Sequence, residues 1–252
     1  MVDDADAIRQ KSAGFYDGRG PGRIVVRDRD RNVPALVERL VDREDFTLLD
    51  IGCGNGLVAF LAKERFPAAE VHGVDLGEKT IAAAREIRDD IIYAVSDELL
   101  GELPADRFDL ATCRMSIHHY PDIEAHFAAV RRVLKPGGRY LVMDIVPPPE
   151  WREALDGIFL RAEELFPGDG HQRYRSREEY GVVMAATGFR ELFFQETDFD
   201  VDWPWSGPYG GVVGRLISEA PADFREWLRF EDRGERFTYR MPLGNLAAEV
   251  VP

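Results

Sequence analysis

Between residues 46 and 146, short apolar runs alternate with stretches in which apolar residues recur at helical spacing, and this alternation constrains the fold most. Five runs predict buried strands, at residues 46–51, 70–76, 91–95, 108–113 and 139–146. Helical patterns separate them, at residues 57–66, 78–88 and 122–135. Strands that alternate with helices in this way are typical of a parallel sheet with helices on both faces.

The flanking residues extend this α/β unit. Further helices are predicted at residues 33–41, 151–165, 176–187 and 222–230. A sixth strand is predicted at residues 189–201 and a last strand within residues 236–250. We therefore expect a Rossmann-like, seven-stranded, mostly parallel sheet in a domain of residues 46–252. A lid or helical lead-in at residues 1–45 precedes it, with insertions at about 147–175 and 203–235, the latter irregular apart from its helix.

Composition narrows the possible partners. The formal net charge of −14 disfavours phosphate backbones and anionic membranes, so we expect neither a nucleic acid nor a membrane as a partner. No apolar run is long enough for a membrane span, and the acidic start does not resemble a secretory signal. Two cysteines, Cys53 and Cys113, form neither a disulfide framework nor a metal cluster. We expect a cytoplasmic monomer or homodimer, without a metal, that acts on a small molecule.

A glycine-rich turn, Asp50-Ile51-Gly52-Cys53-Gly54-Asn55-Gly56, follows the first predicted strand. Glycines at this position let a ligand approach the backbone, at the edge where open α/β sheets bind their ligands. A dinucleotide fingerprint would need glycine or alanine where this chain has Leu57. The Asp50 carboxylate would be unfavourable beside a pyrophosphate, but it suits a ligand that carries an ammonium group and a sulfonium.

Two further carboxylates follow the next two strands. Asp75 lies 19 residues after Gly56 and is placed to accept hydrogen bonds from both hydroxyls of a ribose. Asp97 follows the third strand and is placed to accept one from an adenine amino group. Each could instead cap a helix or a turn.

Four segments now stand in order along the chain. They are Leu49-Asp50-Ile51-Gly52-Cys53-Gly54-Asn55-Gly56, Gly73-Val74-Asp75-Leu76, Phe108-Asp109-Leu110 and Arg132-Val133-Leu134-Lys135-Pro136-Gly137-Gly138-Arg139. Their succession resembles that of class I S-adenosylmethionine (SAM)-dependent methyltransferases, in the broad group that includes quinone-biosynthesis C-methyltransferases and many natural-product methyltransferases. The resemblance covers residues 46–146 well and residues 176–200 more weakly.

This resemblance implies which residues would contact SAM. The turn would line its methionine part, through Gly52, Cys53, Gly54 and Gly56, with Asp50 close to the ammonium group. The nucleoside would lie against residues that follow the second and third strands, which are Asp75 at the ribose and Leu76, Ser96, Asp97 and Glu98 at the adenine. Cys113 and Arg114 would lie near the sulfonium, and Tyr16 would close over SAM from the lead-in. Arg114 departs from the small or polar residue that is usual there, since a guanidinium repels a sulfonium.

His118 and His119 follow the fourth strand, where the ligand crevice opens. Either could be structural, or could act as a general base for an oxygen, nitrogen or activated carbon acceptor. Transfer of a methyl group from a sulfonium is an in-line displacement that needs alignment, exclusion of water and, for some acceptors, removal of a proton.

The function expected from the resemblance is O-, N- or C-methylation of a small molecule in biosynthesis. Two alternatives remain open. One is a methyltransferase-fold enzyme that performs elimination, hydrolysis or cyclisation. The other is a protein that binds SAM without turnover.

Overall fold

A central sheet of eight strands organises the part of the chain that the computed structural model describes, residues 27, 30–166 and 170–251. The strands are β1 (Thr47–Ile51), β2 (Glu70–Asp75), β3 (Ile92–Val95), β4 (Phe108–Arg114), β5 (Leu134–Ile145), β6 (Phe189–Pro204), β7 (Glu231–Asp232) and β8 (Arg236–Val250). Their order is β3-β2-β1-β4-β5-β8-β6, with β7 paired to β8. The first five strands in this order, β3, β2, β1, β4 and β5, are parallel to one another. Strand β8 runs antiparallel to β5 and β6. The chain leaves β1 in one direction and returns to β4 on its other side, which creates a ligand crevice at their carboxyl ends.

Helices cover both faces of the sheet, as predicted. Within the described ranges they are α1 (Val33–Glu38), α2 (Leu57–Arg65), α3 (Glu78–Ile87), α4 (Ile123–Val133), α5 (Pro149–Leu165), α6 (Arg177–Thr187), α7 (Pro208–Glu219) and α8 (Ala222–Trp227), with a 3-10 turn at Ile117–His119. Apolar residues of α1, α2 and α3 form one core, and those of α4 and α6 form the core on the opposite face. None of the described helices combines the length and the apolar character that a membrane crossing requires.

The strands β6 and β8 extend beyond the rest of the sheet. Residues 243–249 of β8 pair with β5, whereas its earlier residues pair only with β6 and β7. This two-stranded overhang carries a third core, built with α5, α7 and α8. Trp205 and Trp203 pack there on Phe237, and their ring centroids lie 4.6 and 6.4 Å, respectively, from the centroid of the Phe237 ring.

The expectation that residues 203–235 are irregular outside one helix is wrong, because they also contain α7 and β7. Glycines in α7 lower its helix propensity and hide it from sequence patterns. The structure shows why Gly214 is needed: a Cβ atom there would lie 2.6 Å from Phe237 and 2.8 Å from Trp205. Close packing against aromatic rings therefore overrides the local preference.

Several predicted boundaries are also wrong. Helices α1 and α8 end three residues earlier than predicted, at Glu38 and Trp227, and β6 ends three residues later, at Pro204. The helix expected at 122–135 ends at Val133, and β5 begins at Leu134 instead of residue 139. The cause is strand pairing, since Phe108 pairs with Leu134 before a register shift brings Leu110 opposite Arg139. The seven predicted strands are all present, and the two-residue β7 is an eighth.

Candidate cofactor and active site

The glycine turn between β1 and α2 adopts left-handed backbone conformations, with φ of +63° at Gly52, +54° at Gly54 and +86° at Gly56. A Cβ atom at Gly52 would overlap the Ser116 hydroxyl, and one at Gly56 would overlap the Tyr93 hydroxyl. At Gly54, by contrast, no atom of the described residues lies within 4 Å of the Cβ position. Gly52 and Gly56 are therefore required by packing, while the open space at Gly54 fits the close approach of a ligand.

Asp75 links the glycine turn to the ends of β2 and β3. Its Oδ2 accepts a hydrogen bond from the Gly54 N–H at 2.9 Å, and its Oδ1 accepts one from Gly77 at 3.0 Å. Its backbone carbonyl accepts from the Ser96 N–H at 3.0 Å. The half-buried carboxylate thus lies at the carboxyl edge of the sheet, beside the turn, and its contact with a ribose stays a prediction.

Asp50 is buried beneath the turn. The Thr112 hydroxyl donates to its Oδ1 at 2.9 Å, and the Ala59 N–H donates to its Oδ2 at 3.3 Å. Burial raises the pKa of this carboxyl to about 7, and the hydrogen bonds only partly offset this effect. A cation that binds nearby would therefore find Asp50 close to half ionised at neutral pH.

The loop after β3 is held from within the core. Asp97 Oδ1 accepts from the Leu99 N–H at 3.0 Å, so the alternative role as a turn cap is present, and its contact with adenine stays a prediction. The carbonyl of the buried Glu98 accepts from His126 Nδ1 at 2.8 Å, and His126 Nε2 accepts from the Tyr140 hydroxyl at 2.7 Å. Burial lowers the pKa of His126 to about 4, which keeps its ring neutral.

Arg114, at the end of β4, forms an ion pair with Asp30, which precedes α1. The repulsion expected from an isolated guanidinium is thereby reduced. The side chain of Cys113 points instead into the core, where burial raises its pKa and its Sγ lies 3.7 Å from the Tyr120 hydroxyl. Any contact between Cys113 and a ligand in the crevice would therefore come from its backbone.

His118 forms a pair with a carboxylate that sequence reasoning missed. Its Nδ1 lies 2.7 Å from Oδ1 of Asp144, which is fully buried on β5. The Ile145 N–H donates to the same oxygen at 2.6 Å, and the His118 N–H donates to Oδ2 at 3.3 Å. Both oxygens of Asp144 accept backbone hydrogen bonds, which suits an arrangement in which Nδ1 of His118 donates and the carboxylate accepts. The signal available in the sequence was one carboxylate within the apolar run of β5.

A second histidine–carboxylate pair lies beside the first and was also missed. His171 Nε2 is 3.1 Å from Oδ1 of Asp156 on α5, and the ring centroids of His171 and His118 are 5.6 Å apart. His119 packs on His118 at 4.0 Å. The sequence offered little signal for this pair, since Asp156 is one polar residue within the predicted helix at 151–165 and His171 lies in a loop without periodicity.

The structure brings most of the predicted residues to one edge of the sheet. Leu76 and Ser96 are half-buried at the ends of β2 and β3. Tyr16 lies outside the described residues. Within the described ranges, no cluster of histidine, cysteine and carboxylate side chains could hold a metal ion. A glycine turn at the switch point of an open α/β sheet, with a carboxylate at the end of β2, is typical of the class of Rossmann-like folds.

A match to a family profile identifies the chain more specifically than its fold does. The chain belongs to a family described as a methyltransferase domain, whose profile matches residues 25–192. This confirms the resemblance that the four motifs indicate.

Two curated relatives of the chain are also named as methyltransferases. Nocamycin O-methyltransferase of Saccharothrix syringae is 38% identical over 154 residues, which cover 58% of this chain and 52% of the relative. Demethylmenaquinone methyltransferase of Thermus thermophilus is 33% identical over 129 residues, which cover 50% and 57%. The chain thus spans little more than half the length of these relatives.

Solved structures share the fold. The YcgJ protein of Bacillus subtilis superimposes with a TM-score of 0.73 at 19% identity, over 88% of this chain and 99% of that one. Geranyl diphosphate C-methyltransferase of Streptomyces coelicolor, solved with Mg2+, geranyl diphosphate and S-adenosyl-L-homocysteine (SAH), superimposes with a TM-score of 0.63 at 19% identity, over 97% and 98%.

Proposed function

We propose that this chain is a SAM-dependent methyltransferase that methylates a small molecule in biosynthesis. The observation that carries the proposal is the open space at Gly54, bordered by the Asp75 carboxylate, in a chain of the methyltransferase domain family. The names of the two curated relatives support a small acceptor.

The residues present fit SAM. The backbone at Gly54 would lie against its methionine part, Asp75 would accept from the ribose hydroxyls, and Asp50 would face the ammonium group. Bound SAM would supply a methyl group on a positively charged sulfur, which would pass to an acceptor on the side of the methyl carbon away from the sulfur, leaving neutral SAH.

The chain's own contribution to the chemistry is to position the acceptor and to remove its proton. Asp144, held by the backbone N–H groups of His118 and Ile145, orients the His118 ring through Nδ1. His118 Nε2 then takes the proton of a hydroxyl, an amine or an activated carbon as the new bond to the methyl group forms. The Asp144 carboxylate stabilises the imidazolium that results, as in other histidine–carboxylate pairs.

The test is incubation of the purified protein with SAM and a panel of phenols, quinols and amines, followed by mass spectrometry. We expect SAH and a product heavier by one methylene group in equal amounts. Asp75→Ala should abolish binding of SAM in a thermal-shift assay, and NAD should not stabilise either protein.

Three results would contradict the proposal, each in a different way. Absence of SAM binding would refute the cofactor. Binding of SAM without formation of SAH from any acceptor would indicate a protein that binds without turnover. A product formed without consumption of SAM would indicate non-methylating chemistry.

A further inference from the structure

We propose that the Asp30–Arg114 ion pair sets the charge of the cofactor crevice, so that the crevice accepts the cationic SAM rather than favouring the neutral SAH. The inference rests on the proposed function, because it concerns how the same crevice distinguishes cofactor from product. It assigns a role in specificity to two residues outside the glycine turn.

The pair is buried and lies next to the turn. The side chain of Arg114 is 10% exposed and that of Asp30 is 2% exposed. Cys113, the residue before Arg114, pairs in register with Ile51, the residue before Gly52. Since neighbouring strands lie about 5 Å apart, the end of β4 is adjacent to the start of the turn. Ser116, two residues after Arg114, packs directly on Gly52.

Asp30 is held in place for this contact. Its Oδ2 accepts from the Arg27 N–H at 2.9 Å, and its own N–H donates to the Arg27 carbonyl at 2.9 Å. The Oδ1 atom accepts from Arg114 Nη2. These contacts with Arg27 hold the carboxylate against the guanidinium, so that Asp30 needs little rearrangement to neutralise it.

The surrounding charges explain why the pair matters. Burial lowers the pKa of Arg114, and the carboxylates of Asp30, Asp50 and Asp144 raise it in part. The guanidinium therefore lies within the field of carboxylates from β1 and β5 as well as its direct partner. If Asp30 lost its charge, Arg114 would repel a bound sulfonium.

SAM and SAH separate this effect from a structural one. They share the adenosine and the amino acid, but only SAM carries the positive charge on sulfur. A unit charge within roughly 10 Å of the sulfonium, at the effective dielectric of a partly buried site, changes an equilibrium constant by about tenfold or more. Loss of packing or of crevice shape would weaken both ligands alike.

The experiment is isothermal titration calorimetry of the full chain with SAM and with SAH. We expect Asp30→Asn to lower the affinity for SAM by about tenfold or more and the affinity for SAH by less than about threefold. The double variant Asp30→Asn/Arg114→Gln removes both charges, and its ratio of SAM to SAH affinity should return to the wild-type value. Asp30→Glu keeps the charge and should leave the ratio unchanged.

A matched control is Asp202→Asn, which removes the partner of Arg236 on the overhang of β6 and β8 and should alter neither affinity. Thermal unfolding of each variant identifies any that fails to fold, and the double variant and Asp30→Glu then supply the comparison. The inference would be overturned if Asp30→Asn had the same ratio of SAM to SAH affinity as the wild type, whether or not both ligands bind more weakly. Failure of the wild-type chain to bind either ligand would refute the proposed function instead.

Discussion

The Nδ1 atom of His118 lies 2.7 Å from Oδ1 of Asp144, and this contact joins the turn after β4 to the end of β5. It fixes the orientation of one of two adjacent histidines, the one that we propose as the base. We expect Asp144→Asn to lower kcat by about 10²- to 10⁴-fold, because the amide no longer selects the tautomer in which Nε2 is basic.

Steady-state kinetics with the best acceptor from the panel would measure this. The matched control is His72→Gln, which lies on β2 beside Glu70 and outside the crevice. An unchanged kcat in Asp144→Asn would show that the pair is structural.

The glycines of the turn should separate binding from stability. Gly54→Ala places a methyl group in the open space and should weaken SAM strongly, with a cost in stability limited to the left-handed conformation, about 1–2 kcal/mol. Gly52→Ala adds a clash with Ser116 and should lower the melting temperature further. Calorimetry and thermal unfolding of the two variants test this, and equal losses of stability would contradict it.

The buried carboxyl of Asp50 should make the affinity for SAM depend on pH. A bound cation favours the ionised form, so binding releases a proton where the pKa of the free protein is about 7. Affinity should rise with pH from 6 to 8, by at most about tenfold per pH unit, and then level off. Asp50→Asn should flatten this profile, and a flat wild-type profile would remove Asp50 from the ammonium site.

Asp50 and His126 should also affect stability in opposite directions. The pKa of His126 is lowered from 6.5 to about 4, so its contribution to stability is lost as pH falls between these values, by up to about 3 kcal/mol. The pKa of Asp50 is raised from 3.8 to about 7, so folding gains stability as pH falls through that window. In the wild type the two effects largely cancel.

Variants should expose each effect. Urea unfolding at pH 5 and 7.5 gives the free energy of unfolding of each variant. Relative to the wild type, His126→Gln should make the protein more stable at pH 5 than at pH 7.5, and Asp50→Asn should make it more stable at pH 7.5 than at pH 5. The same pH dependence in both variants would show that other groups dominate.

Two helical glycines offer a test of the overhang. Gly214→Ala on α7 should destabilise the fold by about 1–3 kcal/mol, because its methyl group would lie 2.6 Å from Phe237. Gly157→Ala on α5 meets no atom of the described residues within 4 Å and should stabilise by about 0.5–1 kcal/mol. Urea unfolding midpoints of the two variants test this prediction, and equal shifts from the wild-type midpoint would refute the packing argument.

Local pattern was sufficient for the sheet and the glycine turn. Strand and helix periodicities predicted β1 to β6 and β8, apart from the early start of β5. Helix α6 has the predicted extent, because a Ser176–Glu179 capping box begins it and the left-handed Gly188 ends it. Helix α7 was missed because its reason to form is long-range: Gly214 is needed by Phe237, which lies on β8.

The sequence by itself determined the family, since the turn at Gly52–Gly56 and the carboxylates of Asp50 and Asp75 lie at the ends of strands whose apolar runs are visible in the local sequence. Only the tertiary structure decided the partners of His118 and Arg114. Asp144 lies 26 residues from His118, and Asp30 lies 84 residues from Arg114. The physical reason is that a buried charge is stabilised by whichever group the fold brings to it, and no periodicity of the chain records that contact.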